Sequence, residues 1–385
     1  MPHNLYFDHN ATTPIAPEVL QTMLPYLNQH FGNPSSLYSL GKQAAQAIEH
    51  ARKQVASLIH ADPSEILFTS CGTESDNTAI LSALRTTGKR HIVTTQVEHS
   101  AIHNLVDDLE IRGYGVTQLP VHSDGTLDPQ QVADAIRPDT AIVSIMWANN
   151  ETGVLFPIHE IAKICQEKNV LFHTDAIQAI GKIPVHVHNT PIHFLSLSAH
   201  KIYAPKGIGA LYIRRGTPFK PLLIGGAQEQ GRRGGTENVA SIVAFGKAAE
   251  LAASRLPHCT DHLRLLRDTF ETQILQAIPT ARINGHPQLR LPNTTNITFP
   301  HQIPAEALLL RLSLQGVSLS AGSACTSGSV HPSHVLTAMG LTPTQAKSSL
   351  RFSFGITQTL DDIQEGARKV IDAYHHLRKT LQPVT

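Results

Sequence analysis

Between Glu65 and Ile213 the chain repeats one pattern: a short β-branched run closed by polar or small residues, then a stretch with apolar residues at helical spacing. The runs are "EILFTS", "HIVTT", "TAIVSIMW", "VLFHTD" and "HFLSLS". The stretches between them include "ESDNTAILSALR", "AIHNLVDDLEIRG" and "IHEIAKICQEKNV". Strand and helix periods alternating in this way predict an α/β fold, with a mostly parallel sheet sandwiched by helices. Ligands bind such sheets in the loops beyond the carboxyl ends of the strands, and the chain keeps its unusual polar residues there. After about Leu256 the pattern changes to a helix near "CTDHLRLLRDTFETQILQAI", short strands "TTNITFP", "GVSLSAG" and "SLRFSFG", and a closing helix from Leu360. The expected organisation is a large domain over residues 14–255 and a smaller α+β domain from residues 1–13 and 256–385. The Gly-rich "IGGAQEQGRRGGTEN" between the halves reads as a functional loop or intersubunit segment.

A formal net charge of +1, spread without a basic block or acidic tail, argues against nucleic acid or an anionic membrane as partner. The first residues lack the apolar core of a signal peptide, and no apolar run is long enough to span a bilayer. A cytoplasmic protein is the expectation. Cys71, Cys165, Cys259 and Cys325 are far apart and read as free thiols. None of the 23 histidines falls in a metal-ligand spacing, so no zinc site is assigned.

Several strand ends carry residues with chemical potential. "FTSCGTESDN" combines a strand, a tight turn and a helix start, and with the Thr73 hydroxyl it could cradle a phosphate; it could also be a plain N-cap. It lacks the lysine and spacing of a P-loop. Asp175 ends "VLFHTD", either to hold a protonated ring nitrogen or to cap the next turn. His99 in "EHSAI" and Asn149 and Asn150 in "WANNETG" end two more strands, with structural readings of their own. "LSLSAHKIYAPKGIGALYI" sets Ser198, His200 and Lys201 where one strand stops and another is about to begin. Pyridoxal phosphate would use all of these together: an amine for its aldehyde, an acid for its pyridine nitrogen, a phosphate cradle and a flat group over the ring.

The motifs "YFDHNATTP", "FGNPSS", "FTSCGTESDN", "EHSAI", "NNETG", "HTDAIQAIGK", "SLSAHKIYAPKGIGALYI", "RRGGTEN" and "SAGSACTSG" resemble, in order, those of cysteine desulfurases of the NifS/IscS-like type. The resemblance runs from about Tyr6 to Arg351. It implies a homodimeric fold type I pyridoxal-phosphate enzyme of the class V aminotransferase family. By this resemblance Lys201 is the Schiff-base lysine, with Lys206 the competing candidate outside the matched motif. Asp175 pairs with the pyridinium, His99 stacks on the ring, and Asn150 and Gln178 contact the phenolic oxygen side. Gly72, Thr73, Ser198, Ala199 and His200 hold the phosphate and its surroundings, with Thr236 reaching in from the other subunit. Arg351, with Asn150, meets the substrate carboxylate, where a bidentate fork suits better than lysine; its other reading is a strand-surface arginine.

Cys325 lies in "SAGSACTSGS", a run of small residues suited to an exposed nucleophilic thiol rather than a packed core cysteine. The implied reaction converts L-cysteine to L-alanine. Lys201 removes the Cα proton, Cys325 attacks the substrate sulfur and keeps it as a persulfide, and His99 relays protons. The sulfur would pass to an iron–sulfur scaffold or another acceptor protein, with Cys325 a transient iron–sulfur ligand at most. A selenocysteine lyase shares the cofactor site, a transaminase has no need of Cys325, and a non-catalytic scaffold subunit needs none of these residues. Three residues depart from the family pattern. Cys71 stands beside the phosphate turn and is expected to pack; Asp76 replaces an asparagine and is expected to be tolerated by the helix dipole; His9 is expected to alter the substrate mouth. The sequence also ends sooner than the housekeeping members, which leaves scaffold docking open.

Overall fold

The computed structural model describes residues 4–321 and 332–381. A short strand, β1 (Leu5–Tyr6), opens the chain. The central sheet follows with β2 (Ile66–Thr69), β3 (His91–Thr95), β4 (Gly115–Leu119), β5 (Thr140–Ser144), β6 (Leu171–Asp175), β7 (Phe194–Ser198) and β8 (Gly209–Ile213). Its order is β2-β8-β7-β6-β5-β3-β4. β8 pairs antiparallel with both β2 and β7, and every other pairing is parallel. Therefore β2, β3, β5, β6 and β7 all finish at one edge. The strands β2, β3, β5 and β7 are buried throughout, as a sheet covered on both faces requires. Helices Gly72–Thr87, Ser100–Ile111 and Ile158–Glu167 follow the strands as the helical spacing predicts.

The second half forms a smaller antiparallel sheet from β9 (Arg282–Asn284), β10 (Thr294–Thr298) and β12 (Ser349–Ser353), in the order β12-β10-β9. The N-terminal β1 pairs in parallel with β11 (Val317–Ser318), across the whole length of the chain. Apolar burial divides accordingly: Phe7, Phe270, Phe352, Phe354 and Tyr374 belong to one core, and the central sheet to others. One 39-residue helix, Val239–Ala277, joins the two regions and carries Pro257 inside it. The helix expected near Cys259 is its second half. No helix among the described residues is long and apolar enough to cross a membrane.

The Gly-rich connection is fastened to the sheet by a buried ion pair. Arg52 reaches Glu229 with Nη1 at 2.8 Å and Nη2 at 2.7 Å, and Glu229 Oε2 also accepts from Phe68 N at 2.9 Å. Glu229 sits at φ 48°, a left-handed backbone that this anchoring holds in place. Removing one member of a buried pair leaves an uncompensated charge. Glu229→Ala should therefore lose roughly 3–5 kcal/mol in urea unfolding, and a loss no larger than a surface substitution gives would refute the anchoring role.

Candidate functional site

At the common edge the strand ends surround a cavity of about 250 Å³. Its walls include Gly72, Thr73, His99, Asn150, Asp175, Gln178, Ser198, His200 and Lys201, so nine of the expected residues converge here from five loops. β2 delivers Gly72 and Thr73 at the start of a 16-residue helix, where first-turn N–H groups have no intrahelical acceptor. A Cβ on Gly72 would run into Ile177 Cδ1, so only glycine leaves this floor open. After β7 a single 3-10 turn, Ala199–Lys201, turns His200 and Lys201 toward the cavity.

Lys201 Nζ donates to the carbonyls of Asn10 and, at 2.8 Å, Ala11. Lys206 is exposed on the following turn and lines a different groove, so the cavity lysine is Lys201. Asp175 is buried at the end of β6, and its Oδ1 accepts from Ile177 N at 2.9 Å. Burial pushes its carboxyl up to about 6, against the Ile177 N–H and the Lys201 charge. An acid held this way favours a cationic partner. His99 caps the helix Ser100–Ile111, with Nδ1 accepting from Ala101 N at 3.2 Å. That bond leaves the proton on Nε2. Burial first, then the charges of Lys201, His334 and Arg351, bring His99 down to about 4, so its ring is neutral. His200 falls to about 3, through burial and then the lysines around it, and its Nδ1 lies 3.1 Å from Thr12 Oγ1.

Asn150 Oδ1 is buried without a hydrogen-bond partner among the described residues, as an acceptor awaiting a ligand would be. Asn149 is a turn residue instead: its Oδ1 accepts from Glu151 N and Thr152 N, and its Nδ2 donates to Val97 O. Arg351 is fully buried, which removes the strand-surface reading. It reaches Asp8 Oδ1 at 2.7 Å and the Asn150 carbonyl at 3.0 Å, and so stands beside the cavity. Ala199 lies outside the wall, with its N–H given to Ile208 O at 3.2 Å. Thr236 lines a separate groove with Phe68, Thr69 and Arg233. Cys325 lies outside the described residues. The described residues flanking 322–331 meet the site from both sides: Ser320 bridges to Arg351, Ser333 Oγ donates to Glu151 Oε2 at 2.6 Å, and His334 Nε2 lies 2.9 Å from Glu98 O.

Residues 5–365 match the aminotransferase class-V family. The chain belongs to this family. It is 50% identical over 377 residues to the cysteine desulfurase NifS of Azotobacter vinelandii, covering 97% of this chain and 94% of that protein. Among solved structures it resembles a NifS-like protein with a TM-score of 0.90 and 36% identity, over 96% of this chain and 99% of the other. A structure described as SspA in complex with cysteine matches at TM-score 0.80 and 37% identity, over 92% and 99% of the two chains.

The cofactor of this class-V aminotransferase is pyridoxal phosphate, and the residues present fit it. Lys201 offers an amine, Asp175 a buried acid, Asn150 an unpaired acceptor, and the Gly72 floor an opening beneath a helix start. Cys71 also lines the cavity, with Ser70 Oγ 3.7 Å from its Sγ, so it is a wall residue rather than pure packing. Two departures read differently in three dimensions. His9 is not at the mouth: it is buried, with Nδ1 3.2 Å from Ser353 O, and faces a small cavity behind Lys201. Asp76 is fully buried, 3.5 Å from His173 Nε2, and burial followed by the neighbouring Asp175 charge pushes its carboxyl well up. Burial thus disfavours its charge, and the neutral acid it favours is close in shape to an asparagine amide.

Sequence reasoning passed over two further buried groups. Glu98 accepts from Thr95 Oγ1 at 2.7 Å and from Met146 N, and burial pushes it up to about 8. Lys182 donates to Gln178 from behind the cavity. Glu98 stands beside His99 and Lys182 beyond the loop after β6, but burial of a charged residue leaves no mark in a single sequence.

Because the folded-state carboxyl of Asp76 titrates above its unfolded value of 3.8, its full stability is present below that pH and is lost as pH rises toward the folded value. Asp76→Asn should match the parent protein near pH 4 and exceed it increasingly above, by up to about 1.4 kcal/mol per pH unit in that window. Thermal melts from pH 4 to pH 8 test this; a constant difference across the range would contradict it.

Proposed function

We propose that the chain is a cysteine desulfurase that converts L-cysteine to L-alanine and keeps the sulfur as a persulfide on Cys325. The observation that carries this reading is the meeting of Lys201, Asp175 and His99 in one cavity, flanked by the described ends of the segment that holds Cys325. Bound pyridoxal phosphate supplies an electron sink for the carbanion at the substrate Cα. Lys201 Nζ takes the Cα proton, steadied by the Asn10 and Ala11 carbonyls. Asp175 would hold a proton on the ring nitrogen, and His99, neutral with its proton on Nε2, would cover the ring. Arg351 orients the substrate carboxylate with the help of Asn150.

The Cys325 sulfur attacks the substrate sulfur. The carbon–sulfur bond breaks, a sulfur–sulfur bond forms, and the carbon left behind takes up protons to become alanine. Two of the other thiols suit this role poorly: burial pushes Cys165 up to about 12 and raises Cys259 as well. An acceptor thiol then takes the sulfane sulfur, for iron–sulfur cluster assembly or related transfer.

We further propose a cytoplasmic homodimer of two-domain subunits, with residues 14–255 forming the large domain and residues 1–13 and 256–385 the small one. Phe31, Leu37 and Ile224 are 73%, 88% and 87% exposed, an apolar surface that favours a second copy. Thr236 lies outside its own chain's cavity and would serve the other subunit's phosphate.

Purified protein given L-cysteine should release equimolar alanine and, with a reducing thiol, sulfide. Cys325→Ala should keep the cofactor's yellow colour yet lose activity by at least about 10³-fold, and Lys201→Ala should lose the colour of the lysine-bound cofactor as well. Normal desulfuration by Cys325→Ala would overturn the assignment of the nucleophile.

A further inference from the structure

Behind the cavity stands a second lysine that the proposed reaction does not use. Lys182 is 6% exposed, and its Nζ donates to the Gln178 carbonyl at 3.1 Å and to Gln178 Oε1 at 2.9 Å. A lysine has only donors to offer, so the second bond fixes which end of the Gln178 amide faces it. The amide nitrogen is then turned the other way, and Nε2 donates to Asn10 O at 3.0 Å. The same carbonyl accepts from Lys201 Nζ. A continuous hydrogen-bonded path thus runs from Lys182 through Gln178 and the Asn10 carbonyl to Lys201.

The middle of that path cannot swing freely. Asn10 N donates to Ser353 Oγ at 2.9 Å, Asn10 Nδ2 to Thr294 Oγ1 at 2.9 Å, and Asn293 Nδ2 to Asn10 Oδ1 at 3.1 Å. The carbonyl that receives both lysine branches is therefore clamped by the small sheet. We propose that Lys182 is a positioning residue for Lys201: through Gln178 and the Asn10 carbonyl it fixes where the Lys201 nitrogen sits.

The electrostatic surroundings set the protonation state in which Lys182 does this. Facing Lys182 are His9 from the N-terminal segment, His200 and Lys201 from the turn after β7, and Arg351 from β12. Tyr203 from the loop before β8, and Arg255 and Cys259 from the long helix, complete the cavity of about 40 Å³ that it shares with His9 and Lys201. No carboxylate among the described residues hydrogen-bonds to Lys182 Nζ. Burial first, then the charges of Lys201 and Arg351, bring Lys182 down to about 7. Of two neighbouring ammonium groups the one with the lower value gives up its proton first, so above about pH 7 Lys182 is a neutral amine that still donates to Gln178 and adds no charge beside Lys201. An amine that must attack an aldehyde and take a carbon-bound proton works only when unprotonated. Lys182 helps to hold that amine in place from outside the reacting atoms.

This inference rests on Lys201 as the reacting amine, but its test needs no cofactor. Cofactor-free protein is labelled with limiting acetic anhydride over a range of pH, and acetylation of Lys201 and Lys182 is read peptide by peptide by mass spectrometry. In the parent protein Lys182 should label with a midpoint near 7, well below the ordinary lysine value of about 10.4. Lys182→Met, which leaves Gln178 without its donor, should change the limiting rate of Lys201 labelling by at least about threefold, while Lys182→Arg, which stays charged, should lower the Lys201 midpoint by about one unit. A parent Lys182 midpoint at the ordinary value, an unchanged Lys201 rate in Lys182→Met, or an unchanged Lys201 midpoint in Lys182→Arg would each overturn the inference. A cofactor found on a lysine other than Lys201 would instead defeat the functional reading and leave the coupling of the two amines standing.

Discussion

Asp175 is a buried acid at the end of a central strand, and its hydrogen bond comes from one backbone N–H, that of Ile177. Taking a carboxylate out of water is costly unless an opposite charge answers it. Lys201 answers in part through its charge. The arrangement suits a cofactor with a cationic ring nitrogen, which the acid would hold. Without that buried acid the remaining wall residues would make a polar crevice with no reason to hold an electron sink. The parallel strands make it possible, because they bring Cys71, His99, Asn150, Asp175 and Ser198 to the same edge from positions far apart in the chain.

The second half of the molecule closes this edge. β1 pairs with β11, and residues 8–13 then run between the small sheet and the turn that carries Lys201. Asp8 holds Arg351, the Asn10 and Ala11 carbonyls hold Lys201, and Thr12 and Thr13 meet His200. One short N-terminal segment therefore couples Arg351 to Lys201. Behind it, neutral His9, raised Asp76 and lowered Lys182 show that burial disfavours charge around the site on whichever residue carries it. The interior thereby leaves Asp175 and Lys201 as the opposed groups facing the cavity.

Much of this was legible in the sequence, for identifiable reasons. Strands buried on both faces read as unbroken apolar runs, so β3, β5, β6 and β7 are visible before folding is considered. β4 is not: "GVTQL" sits at the sheet edge, half-buried for four of its five residues, and has no continuous apolar run. The long helix is hidden because Pro257 reads as a break, whereas the chain carries it inside one helix. The cavity lysine was legible because Ser198, His200 and Lys201 stand within four residues of each other. Lys182 was not, since nothing local separates a buried lysine from a solvated one. Asp76 and His9 were noticed, but their surroundings come from distant segments: His173 for one, Ser353 for the other. Ala199, expected among the cofactor-binding residues, gives its N–H to Ile208 O, a pairing across the turn that the sequence does not show.

The central claim is that the amine on the turn after β7 is the one that bears the cofactor. Reducing the yellow holoprotein with borohydride would fix that bond irreversibly, and proteolysis with mass spectrometry would locate it. The account predicts the reduced phosphopyridoxyl group on Lys201 alone. The same group on Lys206 or Lys182, or a holoprotein that releases all its cofactor unreduced, would contradict it.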